Sequence, residues 1–224
     1  ATTSTPPCVD TLCLSTAVTE DCGASSGSQV NLTEEGTTDW IHFTKSVTGS
    51  GVTRKRTGGE SIHVQTNGRL MTYSNDGTTF AWNDGDKSQP EESGAPTGVY
   101  VQGKNQGFTI DIPVGKTGSA DLKVWLGTYN SHGLLTATLS DGSTDPVSTT
   151  ISCADGTGNA EVLIQIRGAK AGSTVSVTYV QVDDDGNITL QSVAVSSLPS
   201  QHPRSLPGDD SGNVNFQAAT ISVQ

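Results

Sequence analysis

Short runs in which apolar and polar residues alternate, each closed by Gly, Asn or Asp, recur along most of this 224-residue chain. A period of two places successive side chains on opposite faces of a strand, so each run reads as a half-buried β-strand. The runs are QVNLT (29–33), DWIHF (39–43), SIHVQ (61–65), TFAWN (79–83), GVYVQ (98–102), FTIDI (108–112), DLKVWLGTY (121–129), LLTATLS (134–140), EVLIQIR (161–167), TVSVTYV (174–180) and NITLQSVAV (187–195). Their spacing predicts an all-β domain of antiparallel strands, a β-sandwich or jelly roll. Turn chemistry agrees: Asn75-Asp76-Gly77, Asn83-Asp84-Gly85, Asp141-Gly142 and Asp185-Gly186 offer the positive-φ positions of tight turns. No apolar stripe of helical period competes. With 32% hydrophobic residues and 26 Gly, the core must be thin and built from Val, Ile, Leu and Thr.

The ends are organised differently. Residues 1–27 are polar and rich in Pro, Ser and Gly, and read as a segment held by cysteines more than by a core. Residues 28–195 form the sandwich, 196–212 a Pro/Ser-rich linker, and 213–224 an extra C-terminal strand. The chain begins at Ala1 in a Thr/Ser/Pro stretch, as expected after removal of a signal peptide. Four cysteines without a CxxC pair point to disulfides and an oxidising compartment. Cys8, Cys13 and Cys22 crowd the start while Cys153 lies far downstream, so full oxidation requires one bridge from the leader to Cys153. Such a bridge closes a loop of roughly 130–145 residues and removes on the order of 5 kcal/mol of unfolded-state entropy in the ideal model. Three pairings satisfy this. The expected location is secreted, extracellular or at the cell surface.

The stretch TGVYVQGKNQGFTIDIPVGKTGSADLKVWLGTYNSHGLLTATLSDGS (97–143) resembles a β-sandwich module repeated in large secreted bacterial proteins, often beside carbohydrate-active or adhesive modules. VNLTEEGTTDWIHF (30–43), FAWNDG (80–85) and GNITLQSVAV (186–195) extend the resemblance in the same order. It implies a non-catalytic extracellular module and carries no catalytic set. The cysteine-bearing leader and the tail depart from the pattern.

Catalytic motifs are missing from the sequence: there is no GxSxG elbow, HExxH, P-loop or Rossmann fingerprint. His42, His63, His132 and His202 lack ligand spacing, and the acidic pairs select no glycosidase dyad. The best metal candidate is Asp183, Asp184 and Asp185, on a turn before Gly186 and Asn187, whose oxygens would suit a structural Ca²⁺. A solvated acidic turn is the alternative, and no other cofactor is implied. Arg54-Lys55-Arg56 reads as a solvated basic run.

For binding, the strand DLKVWLGTY is the informative one. Leu122, Val124, Leu126 and Thr128 share the core face, while Lys123, Trp125, Gly127 and Tyr129 share the other. Trp125 and Tyr129 then project outward about 13 Å apart across the gap at Gly127, an aromatic platform for sugar rings. Trp40 and His42 share a face and would extend that surface. The competing reading has Trp125 packed under a loop or against the tail.

A net charge of −11 opposes nucleic acid and anionic membrane as partners, and no apolar run is long enough for membrane insertion. Two functions remain. The first is a structural or adhesive protein that self-associates into a filament or matrix. Its terminal strand, with Val214, Phe216 and Ile221, would add to a neighbour's sheet. The alternative is a carbohydrate-binding module with polysaccharide as partner. Recognition of a protein partner is a third reading without specific residues behind it.

Overall fold

The computed structural model describes residues 11–19, 22, 28–58, 61–87 and 91–197. Fourteen strands run through them: β1 (Leu12–Thr19), β2 (Gln29–Asn31), β3 (Asp39–Phe43), β4 (Val52–Arg54), β5 (His63–Thr66), β6 (Met71–Tyr73), β7 (Thr79–Trp82), β8 (Glu91–Ala95), β9 (Gly98–Val101), β10 (Gly107–Pro113), β11 (Ala120–Leu139), β12 (Val147–Ile166), β13 (Thr174–Gln181) and β14 (Asn187–Ser196). The fold is an all-β sandwich, as the alternation predicts.

Its two layers are continuous through β11 and β12, which pair antiparallel along most of their length. The first half of β11 pairs with β14, which continues to β3 and β4 and, at its other end, to β9 and β6. The second half of β11 pairs with β13, followed by β10 and β5. The change of layer falls at a bulge, where Tyr129 opposes Thr157 but Ser131 opposes Cys153. Asn130 adopts φ 47° there and Gly156 φ 96°, and the Gly156 N–H donates to Asn130 Oδ1 at 2.6 Å. β12 thus carries three residues, 154–156, against one, Asn130, on β11. Such extra residues bend a strand and sharpen its twist, which is how a long strand turns a corner. Leu122, Val124 and Leu126 from one half then share a core with Leu135, Ala137 and Leu139 from the other, joined by Val175, Val177 and Tyr179.

A second, smaller core lies on the opposite face. Strands β2, β7 and β8 form a separate three-stranded sheet, with β2 parallel to β7. Leu32, Phe80 and Trp82 pack there against Trp40, Trp125 and Ala194. A short α-helix, α1 (Leu32–Glu35), opens this layer.

Several local expectations are corrected. QVNLT is extended only to Asn31, because the Asn31 side chain accepts the Thr33 N–H and caps α1. DLKVWLGTY and LLTATLS belong to one strand, since the bulge bends β11 without breaking its pairing with β12. Of the four turn glycines, Gly142 and Gly186 take positive φ, at 63° and 67°, and Gly77 and Gly85 do not. The leader contributes strand β1, paired with β12 from Leu12↔Ile166 to Thr19↔Asn159. Cys22 is bonded to Cys153, 131 residues away, with Cα atoms 5.5 Å apart. Cys13 is also disulfide-bonded, while Cys8 lies outside the described residues. These disulfides fit an extracellular location. Among the described residues, no helix is long and apolar enough to cross a membrane.

Candidate functional site

The expected aromatic platform is divided between two environments. Trp125, Trp40 and His42 do share one face of the main sheet, but the small sheet covers it. Trp125 is only 3% exposed and meets Phe80 edge-on at 5.7 Å between ring centroids. Trp40 is fully buried and stacks, tilted, on Trp82. Both indoles find acceptors: Trp125 Nε1 donates to Glu161 Oε2 at 3.1 Å and Trp40 Nε1 to Asp84 Oδ1 at 2.9 Å. His42 lies between Phe80 and Trp82, its ring nitrogens 2.8 Å from Ser192 Oγ and 2.8 Å from Thr97 Oγ1. Burial pushes its pKa down to about 3, so the ring is neutral. These three residues are therefore core, because Phe80 and Trp82 need an apolar surface and this face supplies it.

Tyr129 has the opposite fate. It is 47% exposed, and it borders a cleft of about 410 Å³ at the uncovered end of the same face. Pairing register builds the floor. Tyr100 opposes Thr189, Thr189 opposes Gly127, and Gly127 opposes Asn159, so one cross-strand row runs over β9, β14, β11 and β12. Two residues further along β11, Tyr129 opposes Asn187 and Thr157 on the same face. The loop after β6 supplies Asn75 and Asp76. Glycines make the space: a Cβ at Gly127 would stand 2.5 Å from the Gly158 carbonyl, and one at Gly98 would stand 2.4 Å from the Tyr73 hydroxyl.

The chemistry of the cleft is aromatic and hydroxyl-compatible. Tyr73 and Tyr100 stack at 6.4 Å and 55°, and Tyr129 lines the cleft with them. Asp76 Oδ1 accepts from the Thr78 N–H at 2.8 Å and from Asn159 Nδ2 at 2.7 Å. Burial raises the Asp76 carboxyl above its ordinary value, partly offset by these bonds. Burial, with the neighbouring Asp76 charge, also raises Tyr73, so its phenol stays protonated. Its hydroxyl and Thr189 Oγ1 are buried near one another without a well-formed hydrogen bond. Sequence reasoning singled out Tyr129 here but missed Tyr73, Tyr100 and Asp76, which come from strands and a loop distant in the chain. The one available signal was the Tyr129 side of Gly127.

The other expected sites come out differently. The Asp183 carboxylate accepts from Ser131 Oγ at 2.5 Å and from the His132 N–H at 3.1 Å, with His132 Nδ1 at 2.6 Å. Among the described residues, no three His, Cys, Asp or Glu side chains converge as metal ligands. In the Arg54-Lys55-Arg56 run, Arg54 and Lys55 are half-buried and Arg56 is exposed. Arg54 donates to the Ile62 carbonyl, Lys55 forms an ion pair with Asp84, and Arg56 donates to the Gly85 carbonyl. Burial works against the ionised Asp84 carboxyl, yet hydrogen bonds from Lys55, Thr33 and Trp40 outweigh it and lower its pKa. Val214, Phe216 and Ile221 lie outside the described residues, so self-association through the tail gains no support there.

No family model matches the chain, and no curated protein matches it. Solved structures do. One is the enzymatically active domain of a tailspike protein from bacteriophage CBA120, with TM-score 0.44 and 11% identity over 62% of this chain. The match spans 20% of that tailspike chain. A xylan-binding domain from Paenibacillus barcinonensis has TM-score 0.39 and 10% identity over 70% of this chain and 92% of its own. An adhesin domain of Lys-gingipain from Porphyromonas gingivalis has TM-score 0.36 and 13% identity over 62% of this chain and 99% of its own.

Proposed function

We propose that the chain is a non-catalytic, extracellular carbohydrate-binding module whose ligand lies in the cleft beside Tyr129. The observation that carries this reading is the convergence of Tyr73, Tyr100 and Tyr129 with the amides of Asn75, Asn159 and Asn187 and the carboxylate of Asp76. Pyranose rings present apolar C–H faces that pack on aromatic rings, and their hydroxyls need donors and acceptors at the rim. Among the described residues, Asp76 is the one carboxylate lining the cleft. General acid–base cleavage of a glycosidic bond calls for two carboxyl groups about 5–10 Å apart, so the lining favours binding over hydrolysis.

Affinity electrophoresis and glycan-array binding test this. Tyr129→Ala should weaken retention by about tenfold, the equivalent of one well-packed aromatic contact, with an unchanged melting temperature. Absence of binding to every glycan, or binding indifferent to Tyr129→Ala, would overturn the reading.

A further inference from the structure

The cleft holds a carboxylate with no cation beside it among its described lining residues. Asp76 lines it, and no Lys, Arg or His does so among the described residues. The carboxylate is held in place, because Thr78 N–H and Asn159 Nδ2 both donate to Oδ1. The Gln191 side chain and the Gly77 N–H also hydrogen-bond this carboxylate and fix its charge at the cleft wall.

We propose that Asp76 is the specificity-determining residue of this cleft, selecting neutral, hydroxyl-bearing sugars and rejecting glycans that carry carboxylate or sulfate groups. The inference rests on the carbohydrate-binding reading and goes beyond it by naming the ligand class. A sugar hydroxyl donates to Asp76 in a charge-assisted hydrogen bond, stronger than one between neutral groups. A uronate or sulfate oxygen has no proton to donate and brings a like charge to a site without a cation. Across about 5 Å, at an effective dielectric constant near 20, that repulsion disfavours the anionic ligand by tenfold or more. The net charge of −11 acts in the same direction at longer range and lowers the encounter rate with polyanions. Selection therefore comes from a repulsive element as well as an attractive one.

The full chain is tested by affinity electrophoresis and calorimetry against matched pairs that differ only in the acid. Polygalacturonate with its carboxyl-reduced form, and glucuronate-substituted xylan with unsubstituted xylan, are two such pairs. A wider neutral panel identifies a bound glycan first. The expected result is at least about tenfold preference for the neutral member. Asp76→Asn should raise the anionic-to-neutral affinity ratio by about tenfold. If that variant does not fold, the wild-type ratio is followed from about 0.01 M to about 1 M salt, where screening should raise it. Equal or better binding of the acidic member overturns the inference alone, provided that Tyr129→Ala still weakens neutral binding. An Asp76→Asn variant that folds and leaves the ratio unchanged, or a salt-independent ratio, also overturns it alone. Binding to no glycan overturns the carbohydrate-binding reading and this inference together.

Discussion

His42 is held between Phe80 and Trp82 with both ring nitrogens bonded to hydroxyls, so its imidazole is buried and neutral. The unfolded chain protonates this side chain near 6.5, whereas in the fold its pKa is lowered to about 3, first by burial and then by the Lys87 charge. Between those values the unfolded chain binds more protons, so stability is full above pH 6.5 and falls as pH drops toward 3. The slope from this one group reaches about 1.4 kcal/mol per pH unit. Urea unfolding of wild type and His42→Gln across this window checks it, and the variant should lose that part of the slope. Parallel profiles would mean that His42 is not the group being titrated. Trp125 belongs to the same small core. Trp125→Ala should cost about 3–5 kcal/mol through the cavity it leaves, whereas Tyr129→Ala should leave stability nearly unchanged. A reversal of these two effects in thermal unfolding would return Trp125 to the surface.

At the level of the strand, β11 shows how far the alternation could be read. It correctly divides Leu122, Val124 and Leu126, which enter the main core, from Trp125 and Tyr129 on the other face. What the pattern could not say is that this second face is half covered. That depends on Phe80 and Trp82, two aromatic residues on one side of a short strand more than forty residues upstream. An aromatic pair on β7 demanded a partner surface, and Trp40, His42 and Trp125 were the surface available. The cleft was less legible still, since its floor is a row across four strands and its acid comes from a loop. Gly127 joins the two halves of the face. A methyl there would meet the Gly158 carbonyl at 2.5 Å, Asn159 Oδ1 at 2.8 Å and Thr189 Oγ1 at 2.9 Å. Backbone cannot yield as a flexible side chain can, so Gly127→Ala should cost about 1–3 kcal/mol and fill the cleft floor. Calorimetric unfolding together with glycan retention checks both effects. A variant of wild-type stability and affinity would show that the floor is looser than its register implies.

Across the whole molecule, the leader is tied to the body at two levels. Strand β1 runs along β12 as far as Thr19↔Asn159, beside the row that floors the cleft. Cys22 then bonds Cys153, on the far side of the 154–156 bulge where β11 and β12 change layer. The bridge thus anchors the corner of the sandwich as well as the leader, and a Cβ at Gly158 would come within 2.9 Å of the Cys153 Cβ. A loop spanning 131 residues of sequence separation corresponds to about 4–5 kcal/mol in the chain-entropy model, and native bridges of this kind contribute about 2–4 kcal/mol in practice. Cys22→Ser should therefore lower the urea midpoint and raise the denaturant slope, because the unfolded chain is released from the loop. The effect on the cleft is separable. If the bridge only restrains the unfolded state, Cys22→Ser binds glycan as wild type does well below its melting temperature. If the corner depends on the bridge, affinity falls with it, and hydrogen exchange rises first at Gly156 and Thr157 on the cleft rim. The Gly156 N–H bond to Asn130 and the continuous β11–β12 register favour the first outcome, because both hold the corner without the disulfide.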